Sequence, residues 1–284
     1  MRKALEGWGG GLSVGGLKIS NLRYADDTTL VAKTGAEMVD LLNRLDTVSR
    51  EMGLYINQAK TKIMIVDRSR ELQDVHLLSQ YDIVEDFVYL GSSISNKGGT
   101  EGEIRRRIGM AKSAMTQLEK VWKDRNVLNK TKIYIVRTLV FPIFLYGAES
   151  WTIKMADRRR IDAFEMWCWR RLLRIPWTAH RTNISILKEL KITQRLSSIC
   201  LKKVLTYFGH IVRKPSDNLE KLMITGKMEG KRLRGRSPIR WSDLVTKALN
   251  TTITDALNHA KDRDRWKQLC GGISDGREHH DAQH

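Results

Sequence analysis

Two carboxylates, Asp26 and Asp27, stand side by side in NLRYADDTTLVAK, residues 21–33. Adjacent carboxylates on a rigid mount have a defined chemical use. Hard divalent cations such as Mg2+ take carboxylate oxygens and keep positions open for substrate phosphates. In two-metal phosphoryl transfer one ion activates the attacking oxygen and the other steadies the leaving one. The same dipeptide also suits a turn that merely faces water. Tyr24, Thr28, Thr29, Leu30 and Val31 favour strand, whereas Ala-Asp-Asp disfavours it. The reconciliation is a hairpin with Asp26 and Asp27 at its tight turn: the strands fix the carboxylates and the turn exposes them.

The elements around this hairpin follow from local signals. A glycine-rich lead-in (GWGGGLSVGG, 7–16) and a short LKI precede it; the lead-in has no GxxxxGK pattern and so gives no phosphate loop. After it, Thr34 and Glu37 form a T-x-x-E capping box. Met38, Leu41, Leu42, Leu45 and Val48 then share one helical face, and Gly53 suits the stop. LYINQAKTKIMIV (54–66) predicts a turn and a buried strand over 62–66, and FVYLGSSIS (87–95) predicts another short strand before the turn NKGGT. Up to residue 98 the order is hairpin, helix, strand, strand, which is an α+β unit.

Beyond residue 100 the periodicity is helical. Ile104, Ile108, Ala111, Met115, Leu118 and Val121 line one face of a long helix, with Arg105, Arg106, Arg107 and Lys112 expected mostly elsewhere on its surface. A second helix covers 130–146 and bends or ends near Pro142. A third, 157–174, packs Ile161, Phe164, Cys168 and Leu172 and carries Arg158, Arg159, Arg160, Arg170, Arg171 and Arg174. Residues 183–213 give one or two more. GKRLRGRSPIRW (230–241) reads as a basic linker, followed by a helix near 241–250 and a polar, disordered tail.

The charge is unevenly placed. Formal net charge is +18, and residues 101–240 hold 32 Lys and Arg against 12 Asp and Glu, while the flanking parts are nearly neutral. Such a balance points to a polyanion, nucleic acid before an anionic membrane. Trp167, Trp169 and Trp177 interleave with arginines and suit either base stacking or helical core. The run 133–146 contains Arg137 and Pro142 and is too short to span a bilayer, so it is read as a buried helix. Three widely spaced cysteines fit no disulfide framework and suit a reducing, intracellular compartment, nuclear or cytoplasmic. Cys270 with His279, His280 and His284 raises zinc, but no CxxC or CxxH exists. His180 and His210 are isolated and read as structural.

Several phrases together resemble one family. Tyr-Ala-Asp-Asp resembles the YxDD motif of reverse transcriptases, and GLYINQAKTK (53–62) is similar to the segment that follows it. VYLGSSIS (88–95) resembles the primer grip. LVFPIFLYGAESW (139–151), YFGHIVRK (207–214) and GKRLRGRSPIRW resemble the C-terminal half of non-LTR (LINE-type) retrotransposon polymerases. The resemblance implies that Asp26 is a catalytic Mg2+ ligand and that Asp27 supports the metal site. It implies that Tyr24 lies beside the primer end or incoming nucleotide. Lys60 would sit near the triphosphate, and Tyr89, Leu90 and Gly91 would form the primer grip. RNA template and DNA primer, or a duplex, would be the partners, with no membrane. Arg105, Arg106, Arg107, Arg158, Arg159, Arg160, Arg170 and Arg171 are the candidates for phosphate contacts.

The sequence departs from the family upstream. That family uses a further metal-binding Asp and template-holding fingers before YxDD, yet 23 residues precede Tyr24 and no Asp occurs before Asp26. The expected organisation is a partial palm (1–98), thumb-like helices (99–150), a basic helical region (151–229), and linker, short helix and tail (230–284). The expected function is a truncated reverse transcriptase, inactive alone. The alternatives are a non-enzymatic nucleic-acid-binding protein and a basic helical interaction protein.

Overall fold

A computed structural model of the protein describes residues 2–67, 74–225 and 239–275. Its described residues form two compact units. One holds residues up to 98 with 215–225; the other holds 99–214 with 239–275. The class is α+β, with short strands confined to the first unit.

In the first unit α1 (Arg2–Leu5) leads into β1 (Leu12–Val14) and β2 (Leu17–Ile19), an antiparallel pair. Their turn is Gly15-Gly16, with φ of 58° and 87°, the two positive values a type I′ turn requires. The sequence reading missed this hairpin, although Gly-Gly between two alternating triplets, Leu-Ser-Val and Leu-Lys-Ile, signals it. Gly15 is also tight: a Cβ there would meet Leu222 Cδ2 at 2.8 Å. β3 (Asn21–Tyr24) and β4 (Asp27–Leu30) form the next hairpin.

Thr34 then caps α2 (Gly35–Glu51), its hydroxyl accepting from Glu37 N at 3.1 Å. The Glu37 carboxylate accepts from Lys33 N at 2.9 Å and Gly11 N at 3.4 Å, so the cap ties the first hairpin to the helix start. Leu41 and Leu42 are buried, and Gly53, at φ 72°, donates to Arg50 O to close the helix. β5 (Lys62–Ile63) pairs in parallel with β6 (Asp82–Ile83), so the strand expected over 62–66 shortens to two residues and leaves Val66 exposed. β7 (Asp86–Tyr89) and β8 (Ser92–Ser95) form a hairpin, which corrects the single strand expected over 87–95. Leu90 and Gly91 have φ of 48° and 77° and turn the chain back. The strands thus make four separate two-stranded ladders among the described residues.

The second unit is helical. It runs through α3 (Glu101–Gln117), α4 (Glu119–Lys123), α5 (Asn129–Ile135), a π turn (Val136–Val140) and α6 (Phe141–Leu145). Pro142 has no N–H for the residue 138 carbonyl, and the wide turn absorbs that break. A 3-10 turn (Ala148–Ser150) leads to α7 (Met155–Leu173), α8 (Asn183–Glu189) and α9 (Leu196–Val212). α10 (Leu219–Thr225) belongs to the first unit. α11 (Trp241–Leu249), α12 (Ile253–Lys261) and α13 (Arg263–Asp275) finish the described chain. The polar tail expected after 250 is therefore two helices up to residue 275, buried through Ala256, Ala260, Trp266 and Cys270. The core joins Ile104, Ala111, Met115, Ile161, Phe164, Cys168 and Leu172, from the stripes read in the sequence, with Val140 and Phe144, which no such stripe named. Among the described residues no helix is long and apolar enough to cross a membrane.

Candidate functional site

The carboxylate pair sits on the β3–β4 hairpin. Tyr24 pairs with Asp27 across the ladder, so the two-residue turn is Ala25 and Asp26, one position earlier than the expected Asp26 and Asp27. Ala25 takes φ 51°, a backbone that costs a residue with a Cβ and is borne here by the tightness of the turn. Asp26 and Asp27 are both exposed, and Tyr24 beside them is 65% exposed. Among the described residues no group of three or more His, Cys, Asp or Glu side chains is assembled for a metal. The donor set is therefore two exposed carboxylates. It fits Mg2+ only in the manner in which that ion is held by one or two carboxylates together with substrate phosphates.

Lys60 lies in an exposed turn organised by Asn57, whose side-chain oxygen accepts from Lys60 N at 3.1 Å and whose carbonyl accepts from Thr61 N at 3.0 Å. Tyr89, Leu90 and Gly91 occupy the end of β7 and the turn of its hairpin. Leu90 is 40% exposed rather than strand core. This hairpin and the Asp26 hairpin belong to different ladders.

The arginines divide by what they already hold. Arg107 was expected at the surface but is buried: its Nε donates to Glu103 at 2.7 Å, and its guanidinium lies 4.4 Å from the Tyr146 ring centre. The cause is helical spacing, since position 107 falls on the stripe of Ile104 and Ala111 that faces the core. Glu103, also buried, takes Arg106 as well, at 2.7 Å. Arg105 pairs with Glu101 at 2.5 Å, and Arg160 with Asp157 at 3.0 Å and Glu101 at 3.1 Å. Arg170 donates to Arg181 O at 2.6 Å and Asn183 Oδ1 at 3.0 Å. Arg171 sits over Trp167 and 3.8 Å from Glu119. Arg158 is half-buried and Arg159 exposed. Most of these arginines are thus already engaged by acids, carbonyls or rings, whereas Arg159 is exposed and makes no ion pair among the described residues.

The tryptophans serve mainly as bolts. Trp169 is fully buried edge-on to Phe141, and Trp167 is half-buried against Phe164, covered by Lys112 and Arg171. Of Trp177 only the backbone is described. Three downstream motifs meet in one junction of the helical unit. Trp241 of GRSPIRW donates its indole N–H to Glu149 O of GAESW at 2.9 Å. Its ring lies 6.0 Å from those of Tyr207 and Phe208 in YFGHIVRK. The rest of the linker up to residue 238, with His279, His280 and His284, lies outside the described residues. Cys270 is buried on α13, and burial pushes its thiol up to about 11, as it pushes the buried Cys168 and Cys200 thiols well above the usual range.

The sequence reading missed one basic face. From residue 125 to 148 there is no Asp or Glu. Lys130, Tyr134 and Arg137 follow one another at helical spacing in this stretch, all exposed, with Tyr134 at 67%. The signal was the acid-free run itself, which the count over the whole middle region concealed.

The chain is similar to an uncharacterized transposon-derived protein of Caenorhabditis elegans, 29% identical over 269 residues, covering 90% of this chain and 96% of that one. No family model matches the chain, and no solved structure does.

Proposed function

We propose that this chain derives from the RNA-directed DNA polymerase of a non-LTR retrotransposon, carrying its palm motif and the region that follows, and that it holds nucleic acid without extending a primer by itself. The observation that carries the reading is the Asp26 hairpin: a Tyr-Ala-Asp-Asp sequence whose two carboxylates stand exposed, Asp26 in the two-residue turn and Asp27 at the first position of β4. The near full-length similarity to a transposon-derived protein supports descent from a transposable element. The downstream motifs in family order, packed into one helical unit, support the assignment to the half that follows the palm motif. On this reading Asp26 and Asp27 would hold Mg2+ jointly with substrate phosphates, and an RNA template with a DNA primer, or a duplex, would be the partner. Lys60 would face a triphosphate, and Tyr24, Tyr89, Leu90 and Gly91 the primer end. Two-metal transfer also needs a bridging carboxylate, and among the described residues no third acidic side chain is grouped with this pair.

The exposed basic helices favour a second, non-enzymatic reading, a transposon-derived nucleic-acid-binding protein. Primer extension with Mg2+ on an RNA template, comparing the chain with Asp26→Ala, separates the two properties. The expected result is salt-dependent binding without extension. Extension that depends on Asp26 would overturn the claim of inactivity. Failure to bind any nucleic acid at low salt would overturn both readings.

A further inference from the structure

The exposed face of α5 and the π turn carries a feature the arginine clusters lack. Lys130, Tyr134 and Arg137 are spaced by four and three residues, so they share one side of the helix. Neither cation makes an ion pair among the described residues, in contrast to Arg105, Arg106, Arg107 and Arg160. The phenol ring between them is 67% exposed, while the opposite side of the same helix is anchored by Lys132, Val136 and Val140 in the core. Lys132 is held by the carbonyls of Trp122 and Asp124 at 3.0 and 2.7 Å, which fixes the helix beneath the open face.

We propose that this face binds single-stranded nucleic acid, with an unpaired base stacked on Tyr134 and flanking phosphates taken by Lys130 and Arg137. This rests on the nucleic-acid reading above and deepens it. An exposed aromatic between two unpaired cations is the arrangement that single strands use: the ring accepts any base by its flat face, and the cations follow the backbone. A duplex keeps its bases stacked inside and offers the ring nothing. Lys130 and Arg137 lie about 10 Å apart along the helix axis, within reach of phosphates on either side of a stacked base. The absence of any Asp or Glu from residue 125 to 148 removes local repulsion of the strand. A polypeptide partner for Tyr134 with Leu128 and Leu139 would need acidic residues to match the cations, and is treated as an outcome of the test.

The test is fluorescence anisotropy with the full chain and three labelled probes: a short single-stranded DNA, the same sequence as RNA, and a blunt DNA duplex. Tyr134→Ala, at an exposed position, is expected to weaken single-strand binding about tenfold, the size of one lost base stack, and to leave duplex binding unchanged. Tyr134→Trp is expected to keep single-strand affinity. Lys130→Ala and Arg137→Ala are each expected to reduce the salt slope on single strands by about 0.7. The DNA and RNA arms show which strand the face takes; equal loss on both supports base stacking without sugar recognition. Unchanged single-strand affinity in Tyr134→Ala overturns the proposal and leaves the face to a polypeptide. So does an equal loss on the duplex. If the parent chain binds none of the three probes, the nucleic-acid reading itself has failed; if it binds but ignores Tyr134, only this inference has.

Discussion

The indole of Trp266 occupies the space above Gly209: a Cβ built at position 209 would stand 2.5 Å from the ring's Cδ1 and Nε1. That indole N–H donates to Leu205 O at 2.9 Å, and the ring lies 5.5 Å from that of Phe208, so α13 is seated on α9 through one glycine-sized notch. Replacing a helical glycine by alanine ordinarily stabilises by roughly 0.5–1 kcal/mol. Here the methyl group meets a ring that cannot recede without losing its hydrogen bond. Gly209→Ala is expected to destabilise the chain by about 1–3 kcal/mol in urea unfolding. A gain in stability would show that α13 does not dock in this way.

Glu103 and Arg107 form a buried ion pair inside α3. Removing one partner strands the other charge in the core. Glu103→Leu should therefore cost about 3–5 kcal/mol, and adding Arg107→Met should return most of that loss. Denaturant curves of the single and double variants check it. Simple additivity would mean that the pair is not coupled.

Asp74 reaches the start of α2, where its carboxylate accepts from Ala36 N at 2.7 Å. The amides of Ala36 and Gly35 hold its carboxyl below the usual range. A depressed carboxyl contributes stability above its unfolded value, and loses it as pH falls through the folded one. Protection of the Ala36 amide, judged from its exchange rate relative to the intrinsic rate at the same pH, is expected to fall only under acid conditions, below the ordinary Asp value of about 3.9. In Asp74→Asn this acid step should vanish; its persistence would move the cause elsewhere.

Arg159 and Arg107 make a contrast for nucleic-acid binding. On duplex DNA, Arg159→Ala should reduce the salt slope by about 0.9, the share of one phosphate. Arg107→Met, being internal, should leave the slope unchanged even where it lowers stability. A reversed pattern would mean that Arg107 is not internal and that Arg159 does not meet the duplex.

What the sequence made legible was local. Thr34, Glu37 and Gly53 announced both ends of α2, and Tyr24 to Thr28 announced a hairpin, because caps and turns are decided within a few residues. The stripe from Ile104 to Met115 was readable for the same reason, and it should have placed Arg107 inside. The parallel pairing of β5 with β6 was not readable, since nothing at residue 62 names residue 82. The bond from Trp241 to Glu149 joins residues far apart in the chain, and only the assembled helices reveal it. The Tyr134 face escaped because a charge count averages over residues that are already paired.

The π turn at Val136–Val140 also has a bearing on how this chain should be aligned with others. A wide turn inserts one extra residue into the helical phase, so every side chain after it is rotated by about 100° relative to an uninterrupted helix. Lys130, Tyr134 and Arg137 look outward before or within it, while Phe141 and Phe144 look inward after it. A relative that keeps both faces but lacks the wide turn must be one residue shorter between positions 136 and 142. A single-residue gap there would be the mark of a straightened helix, not of a lost function.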